Sequence, residues 1–170
     1  MKRALFLDRD GTVIEDRGYM HDPALVQLLP DAAETLRAMA REGWALILVS
    51  NQSGVARGFF TEIELNTLHD WMMTELATQG ARIDDVRYCP HHPDGSVEGY
   101  LEDHHWRKPG PGMILDLMQH WPVRREGSFV VGDRPTDIEA AEAAGLPGFL
   151  FEGGDLDAFV ADILAQTGSS

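Results

Sequence analysis

"ALFLDRDGTV", residues 4–13, runs from four apolar residues straight into Asp8, Arg9 and Asp10, and then into a glycine. A short apolar run without polar alternation predicts a strand buried on both faces, the kind found in parallel sheets. "WALILVS" (44–50), "SFVVGD" (128–133) and "PGFLF" (147–151) read the same way, and "IDDVRYC" (83–89) is a weaker version. Helical spacing fills the gaps between them. "DAAETLRAMARE" (31–42) has Asp31 as a candidate cap and Gly43 to close it. "TEIELNTLHDWMMTELATQG" (61–80) opens on a Thr61/Glu64 capping box. Pro111 suits the first turn of a helix reaching about His120, "RPTDIEAAEAAG" (134–145) follows the fourth strand, and a last helix covers 155–166. The tail "QTGSS" (166–170) reads as frayed.

Strands alternating with helices predict an α/β fold, a doubly wound parallel sheet with helices on both faces. At 170 residues the chain is expected to be one domain, with a loop insertion at about 89–108 and no room for a large cap. Its 44% hydrophobic and 25% charged content is ordinary for a soluble protein. A formal net charge of −14 with no basic run argues against nucleic acid as a partner. No apolar run approaches the roughly 20 residues of a membrane span, and acids from position 8 come too early for a secretory leader. The single cysteine excludes an internal disulfide, so the expectation is a cytoplasmic monomer.

Ligands of such sheets sit beyond the carboxyl ends of the strands, and four of the predicted ends are polar there. Asp8 and Asp10 can share one pocket, one attacking an electrophile and the other moving a proton. Asp and Gly are also common turn residues, and that reading would win for an isolated D-x-D-G. Asp133 and Asp137 at the fourth strand change the balance. A cluster of these carboxylates repels itself without a cation, and oxygen-only ligands suit Mg²⁺. For Asp137 alone, satisfying N–H groups of the first helical turn is an equally good use. Ser50 offers a hydroxyl, and Asn51 and Gly54 let N–H groups face an anion. Lys108 can neutralise a phosphoryl group, and Arg57 can grip a second anion. Solvated surface charge is the ordinary alternative for Arg57, Arg107 and Lys108.

"FLDRDGTV", "VSNQSG", "RKP" and "VGDRPTD", in that order, resemble the haloacid-dehalogenase superfamily of aspartate-nucleophile phosphatases. "DRGYMH", "SNQSGVARGFFTE" and "CPHHPDGSVE" are similar to its branch acting on heptose bisphosphates, with the histidinol-phosphatases next. The resemblance implies Asp8 as nucleophile, Asp10 as acid and base, and a small phosphorylated sugar as substrate. It implies Ser50, Asn51 and Lys108 around the transferred phosphoryl group and Arg57 and Arg107 on the substrate. Mg²⁺ would be held by Asp8, the Asp10 carbonyl and Asp133, with Asp137 as ligand or support. It further implies a structural Zn²⁺ in the 89–108 loop. There Cys89 and His91 match the first ligand pair, but the second falls on His104 and Trp106. Histidine can replace cysteine as a zinc ligand; tryptophan cannot.

Two other classes stay open at this point. A phospho-accepting receiver domain also uses an acidic strand end, Mg²⁺ and a lysine, but Asp10 beside Asp8 favours turnover. A non-catalytic zinc or anion-binding module explains residues 89–106 and leaves the aspartate pairs without a purpose.

Overall fold

The computed structural model describes residues 1–29 and 31–167; the end of the tail expected to fray lies outside the described residues. Five parallel strands form one sheet in the order β3-β2-β1-β4-β5. They are β1 (Ala4–Leu7), β2 (Ala45–Asn51), β3 (Asp85–Cys89), β4 (Phe129–Gly132) and β5 (Gly148–Leu150). The helices are α1 (Ala32–Arg41), α2 (Glu62–Thr78), α3 (Gly112–His120), α4 (Pro135–Ala143) and α5 (Leu156–Gln166). Among the described residues no helix is long and apolar enough to cross a membrane.

Strand alternation divides the core in two. Leu5, Leu7, Leu46, Leu48 and Val131 face one way, onto Leu36 of α1, Leu68 and Met72 of α2, and Val160 of α5. Ala4, Phe6, Ile47, Val49 and Val130 face the other way, onto Ile114 and Leu117 of α3 and Ala140 and Ala141 of α4. Both faces of the sheet are therefore covered, which is why its strands read as continuous apolar runs. The expected doubly wound sheet is the observed one.

The caps differ in one detail. Thr61 and Glu64 form the reciprocal capping box at α2. Asp31, by contrast, makes no side-chain capping bond to α1: it sits at φ 64°, left-handed, and its carbonyl accepts from Thr35 N–H at 2.9 Å. Capping needs an extended residue whose carboxylate points back at the helix, and a left-handed one does not present it so.

Far apart in sequence, β1 and β4 pair in the middle of the sheet, Leu7 beside Val131. The chain runs outward from β1 through β2 to β3, then returns to start again at β4. Strand order reverses between β1 and β4, and a crevice opens there at the carboxyl ends.

Candidate active site

Asp8 follows β1 and Asp133 follows β4, one on each side of that crevice. The Asp8 N–H still bonds Val131 O at 3.0 Å, so the ladder fixes where its side chain starts. The chain then knots: the Arg9 carbonyl accepts from Val13 N–H (2.9 Å) and Ile14 N–H (3.0 Å), and Gly11 N–H bonds Ile14 O (2.8 Å). Only glycine serves at position 11. It has φ +79°, and a Cβ there would lie 2.1 Å from Asp133 Oδ2.

Lys108 enters from the loop after β3. Its Nζ donates to Asp8 Oδ1 (2.9 Å), Val49 O (2.9 Å) and Asp137 Oδ1 (2.5 Å). Asn51 holds that residue in place, accepting from Lys108 N–H at 2.9 Å and donating through Nδ2 to Lys108 O at 3.1 Å. Asp137 also accepts from the Arg134 N–H at 3.1 Å. It thus satisfies the start of α4, as its position in the first turn suggests, and fixes the lysine as well. Asp8, Lys108 and Asp137 are all buried.

Burial pushes Asp8 up to about 8; Lys108 pulls it down, while Asp137 and Asp10 push the same way as burial. Burial also works against the Lys108 charge, but Asp8 and Asp137 outweigh it and hold the ammonium above its usual range. Asp133 is raised too, by burial first. One oxygen each from Asp8, Asp133 and Asp137 lie within 4.8 Å of one another. Asp133 Oδ1 is buried with no hydrogen-bond partner. Three carboxylates around one ammonium leave two formal negative charges in a buried place, a costly arrangement until a cation joins it. The donors are all oxygen, so the residues present fit Mg²⁺.

Above this cluster lies a cavity of about 470 Å³, bordered by Asp8, Asp10, Asn51, Arg107, Lys108 and Arg134 among others. Ser50 is buried, its hydroxyl accepting from Gln52 Nε2 at 2.7 Å. Arg107 borders the cavity, whereas Arg57 does not: its guanidinium lies 3.5 Å from His92 Nε2. The mouth holds residues the sequence reading passed over. Arg134 Nη2 donates to Asp16 Oδ2 at 3.3 Å, and Tyr19, at φ 46°, meets the Phe59 ring edge-on at 4.7 Å. Gln52 and Arg9 were missed as well. Arg134 carried a signal, being the basic residue directly after the strand-end acid; Gln52, two residues past Ser50, carried only its spacing.

The possible zinc ligands of the 89–108 loop do not gather in this structure. Among the described residues, Asp8, Asp133 and Asp137 are the one group of three or more metal-capable side chains whose donor atoms gather. Cys89 is buried in the second core cluster, where burial pushes its thiol up. His91 and His104 stack 4.7 Å apart with 8° between planes, and His105 stacks on His104 at 4.4 Å. Parallel rings send their in-plane lone pairs side by side instead of toward one point, and tetrahedral zinc needs convergence. His104 Nδ1 already accepts from the Trp106 N–H at 3.1 Å. Trp106 meets the His104 ring edge-on and packs against the second core cluster under the Arg87 guanidinium.

A HAD-hydrolase-like family model matches residues 105–165. Over 163 residues the chain is 50% identical to the D-glycero-β-D-manno-heptose-1,7-bisphosphate 7-phosphatase of Rhodopseudomonas palustris, covering 96% of this chain and 91% of that one. It is 43% identical over 141 residues to the enzyme of the same name from Escherichia coli K12, covering 83% and 74%. A crystal structure of D,D-heptose 1,7-bisphosphate phosphatase from B. bronchiseptica, complexed with magnesium and phosphate, superimposes with a TM-score of 0.80. It is 34% identical and covers 94% of this chain and 86% of that one.

Proposed function

The chain belongs to the heptose-1,7-bisphosphate 7-phosphatase family of HAD-like hydrolases, and from that premise we propose that it removes the C7 phosphate of D-glycero-β-D-manno-heptose 1,7-bisphosphate. It is a phosphoric monoester hydrolase. The observation that carries the mechanism is the buried contact of Lys108 with both Asp8 and Asp137, beside an Asp133 oxygen that has no partner.

Asp8 attacks phosphorus through a carboxylate oxygen, and the bond from phosphorus to the C7 oxygen breaks. Asp10 gives its proton to that leaving oxygen. A water molecule then attacks the aspartyl-phosphate and loses a proton to Asp10, so phosphate departs and Asp8 is restored. Ser50 Oγ and the Asn51 N–H take oxygens of the phosphoryl group, while Lys108 neutralises charge that builds on them. Asp8, Asp133 and the Asp10 carbonyl would hold Mg²⁺, which when bound supplies the positive charge the carboxylates and phosphate share. Asp137 acts through Lys108. Arg107 and Arg134, at the cavity, suit a second phosphate; Arg57, beside His92, supports the 89–108 loop that carries Arg107. Zinc has no part in this proposal.

Steady-state phosphate release from the heptose 1,7-bisphosphate, histidinol phosphate and fructose 1,6-bisphosphate tests the substrate. The heptose should lead in kcat/KM, with a 1-phosphate as product. A clear lead for histidinol phosphate would overturn the substrate and leave the chemistry standing.

A further inference from the structure

Arg9 is fully buried, and the chemistry above gives it no part. Its Nε and Nη2 donate to Asp10 Oδ1 and Oδ2 at 2.8 and 3.1 Å, gripping both oxygens. Nη2 also donates to Gln52 Oε1 at 3.2 Å, and Nη1 lies 3.1 Å from His69 Nε2. A guanidinium only donates, so Nε2 of His69 is the bare nitrogen and Nδ1 carries the proton. Burial, aided by Arg9, holds His69 down to about 3, so this acceptor stays neutral at working pH. Gln52 closes the network, donating through Nε2 to Asp10 Oδ2 (3.3 Å) and to Ser50 Oγ (2.7 Å). Its own backbone is tied to Cys89 O at 2.8 Å.

A forked guanidinium fits a carboxylate in one plane and at one distance, which an ammonium does not enforce. Burying a guanidinium is costly, and an apolar side chain would serve packing alone better. We propose that Arg9 is the positioning residue of the acid/base Asp10, locked by His69 and Gln52 so that Asp10 and Ser50 are held as one unit. This rests on the phosphatase reading above. A proton donor must lie within hydrogen-bond reach of the leaving oxygen, and small misplacement is enough to cost rate.

Arg9→Lys keeps the charge and loses the fork. On the heptose bisphosphate its kcat should fall roughly 10²-fold, the lower end for general acid–base catalysis, with KM nearly unchanged. p-Nitrophenolate leaves without needing a proton. A pre-steady-state burst from p-nitrophenyl phosphate should therefore survive in Arg9→Lys while its steady-state rate drops. An unchanged kcat, or burst and sugar-phosphate turnover lost together, overturns the assignment. Should Arg9→Lys fail to fold by circular dichroism, His69→Leu carries the test. It should lower kcat about tenfold, a partial loss of the same contribution, and His69→Gln, which returns an acceptor, should recover most of it. Full kcat in His69→Leu also overturns the assignment. Turnover by Asp8→Asn would defeat the phosphatase reading itself. A dead Asp8→Asn beside an unimpaired Arg9→Lys defeats only the role of Arg9.

Discussion

The crevice between β1 and β4 and the loop over 89–108 both carry residue types suited to a metal, yet only the crevice gathers them. There each carboxylate starts from regular structure: Asp8 from the end of β1, Asp133 from the end of β4, Asp137 from the first turn of α4. The sheet ladder and the helix start fix those positions, and convergence follows. In the loop, turns set the backbone. Ser96 and Val97 both bond the carbonyl of Ala56, and His92 bonds Tyr100. The imidazoles are left to pack on one another and on Trp106. Residue type foretells a site where regular structure aims the side chain, and much less where a loop does.

The sharpest way to break this contrast is to remove one group from the crevice. Asp8→Asn should abolish turnover, since an amide does not attack phosphorus, while the melting temperature stays close to that of the parent or rises. Taking away a carboxylate whose pKa burial has raised relieves repulsion from Asp137 and Asp10. Residual turnover near the parent rate, in protein free of contaminating phosphatase, would break the contrast at once.

Metal removal comes next. Exhaustive chelation should stop phosphate release and Mg²⁺ should restore it, and Asp133→Ala should raise the Mg²⁺ concentration required. Substitutions in the loop at His91 or His104 should leave that requirement as it was. Full activity in metal-free buffer would contradict a crevice that carries two uncompensated negative charges.

Much of this was legible in the chain itself. Five predicted strands, four of them ending in polar residues, were enough to give the doubly wound sheet and its reactive edge, because the central strands, buried on both faces, leave no alternation to misread. Asp8, Asp10, Asp133 and Lys108 meet where the order of motifs implied. What stayed hidden was the set of partners. Arg9 looks like a turn residue between two acids, yet it is buried against His69, sixty positions away. Asn51 was read for its N–H, but its side chain pins Lys108. Such pairings depend on how α2 and the third crossover loop lie over the sheet, which no local pattern encodes. Asp31 failed for the opposite reason: the residue type was right and one backbone angle was not.

His69 lies between the two regions, bonded to Arg9 on one side and packed near the Tyr88 ring on the other. Its folded pKa, lowered by burial and then by Arg9 to about 3, is below the ordinary 6.5. The unfolded chain therefore binds the proton first. The stability contributed by neutral His69 is complete above about pH 6.5 and is lost as pH falls toward 3, at up to about 1.4 kcal/mol per pH unit. Other groups titrate in the same range, so the measurement is a difference. Urea unfolding of the parent against His69→Gln from pH 7.5 to 4.5 should show the parent losing stability more steeply. Parallel curves would mean that His69 takes a proton without penalty.

The smallest expected effect separates the two regions most finely. Trp106→Ala removes the ring that packs on the second core and under Arg87, and should cost about 2 kcal/mol, the scale for burying one large apolar side chain. At this chain length each kcal/mol lowers the melting temperature by roughly 2–4 °C. KM should rise as well, because Arg107 and Lys108 follow directly in the chain. Cys89→Ser should cost less, about 1 kcal/mol for placing a hydroxyl where a buried thiol sat, with kcat and the Mg²⁺ requirement unchanged. A structural zinc would reverse that order, since its ligands contribute folding energy far beyond one side chain's packing. Metal analysis of untagged protein should accordingly find near zero zinc per chain. Stoichiometric zinc, released in Cys89→Ser with a larger drop in melting temperature than Trp106→Ala shows, would mean that the stacked histidines open to hold an ion and that the loop is a metal site after all.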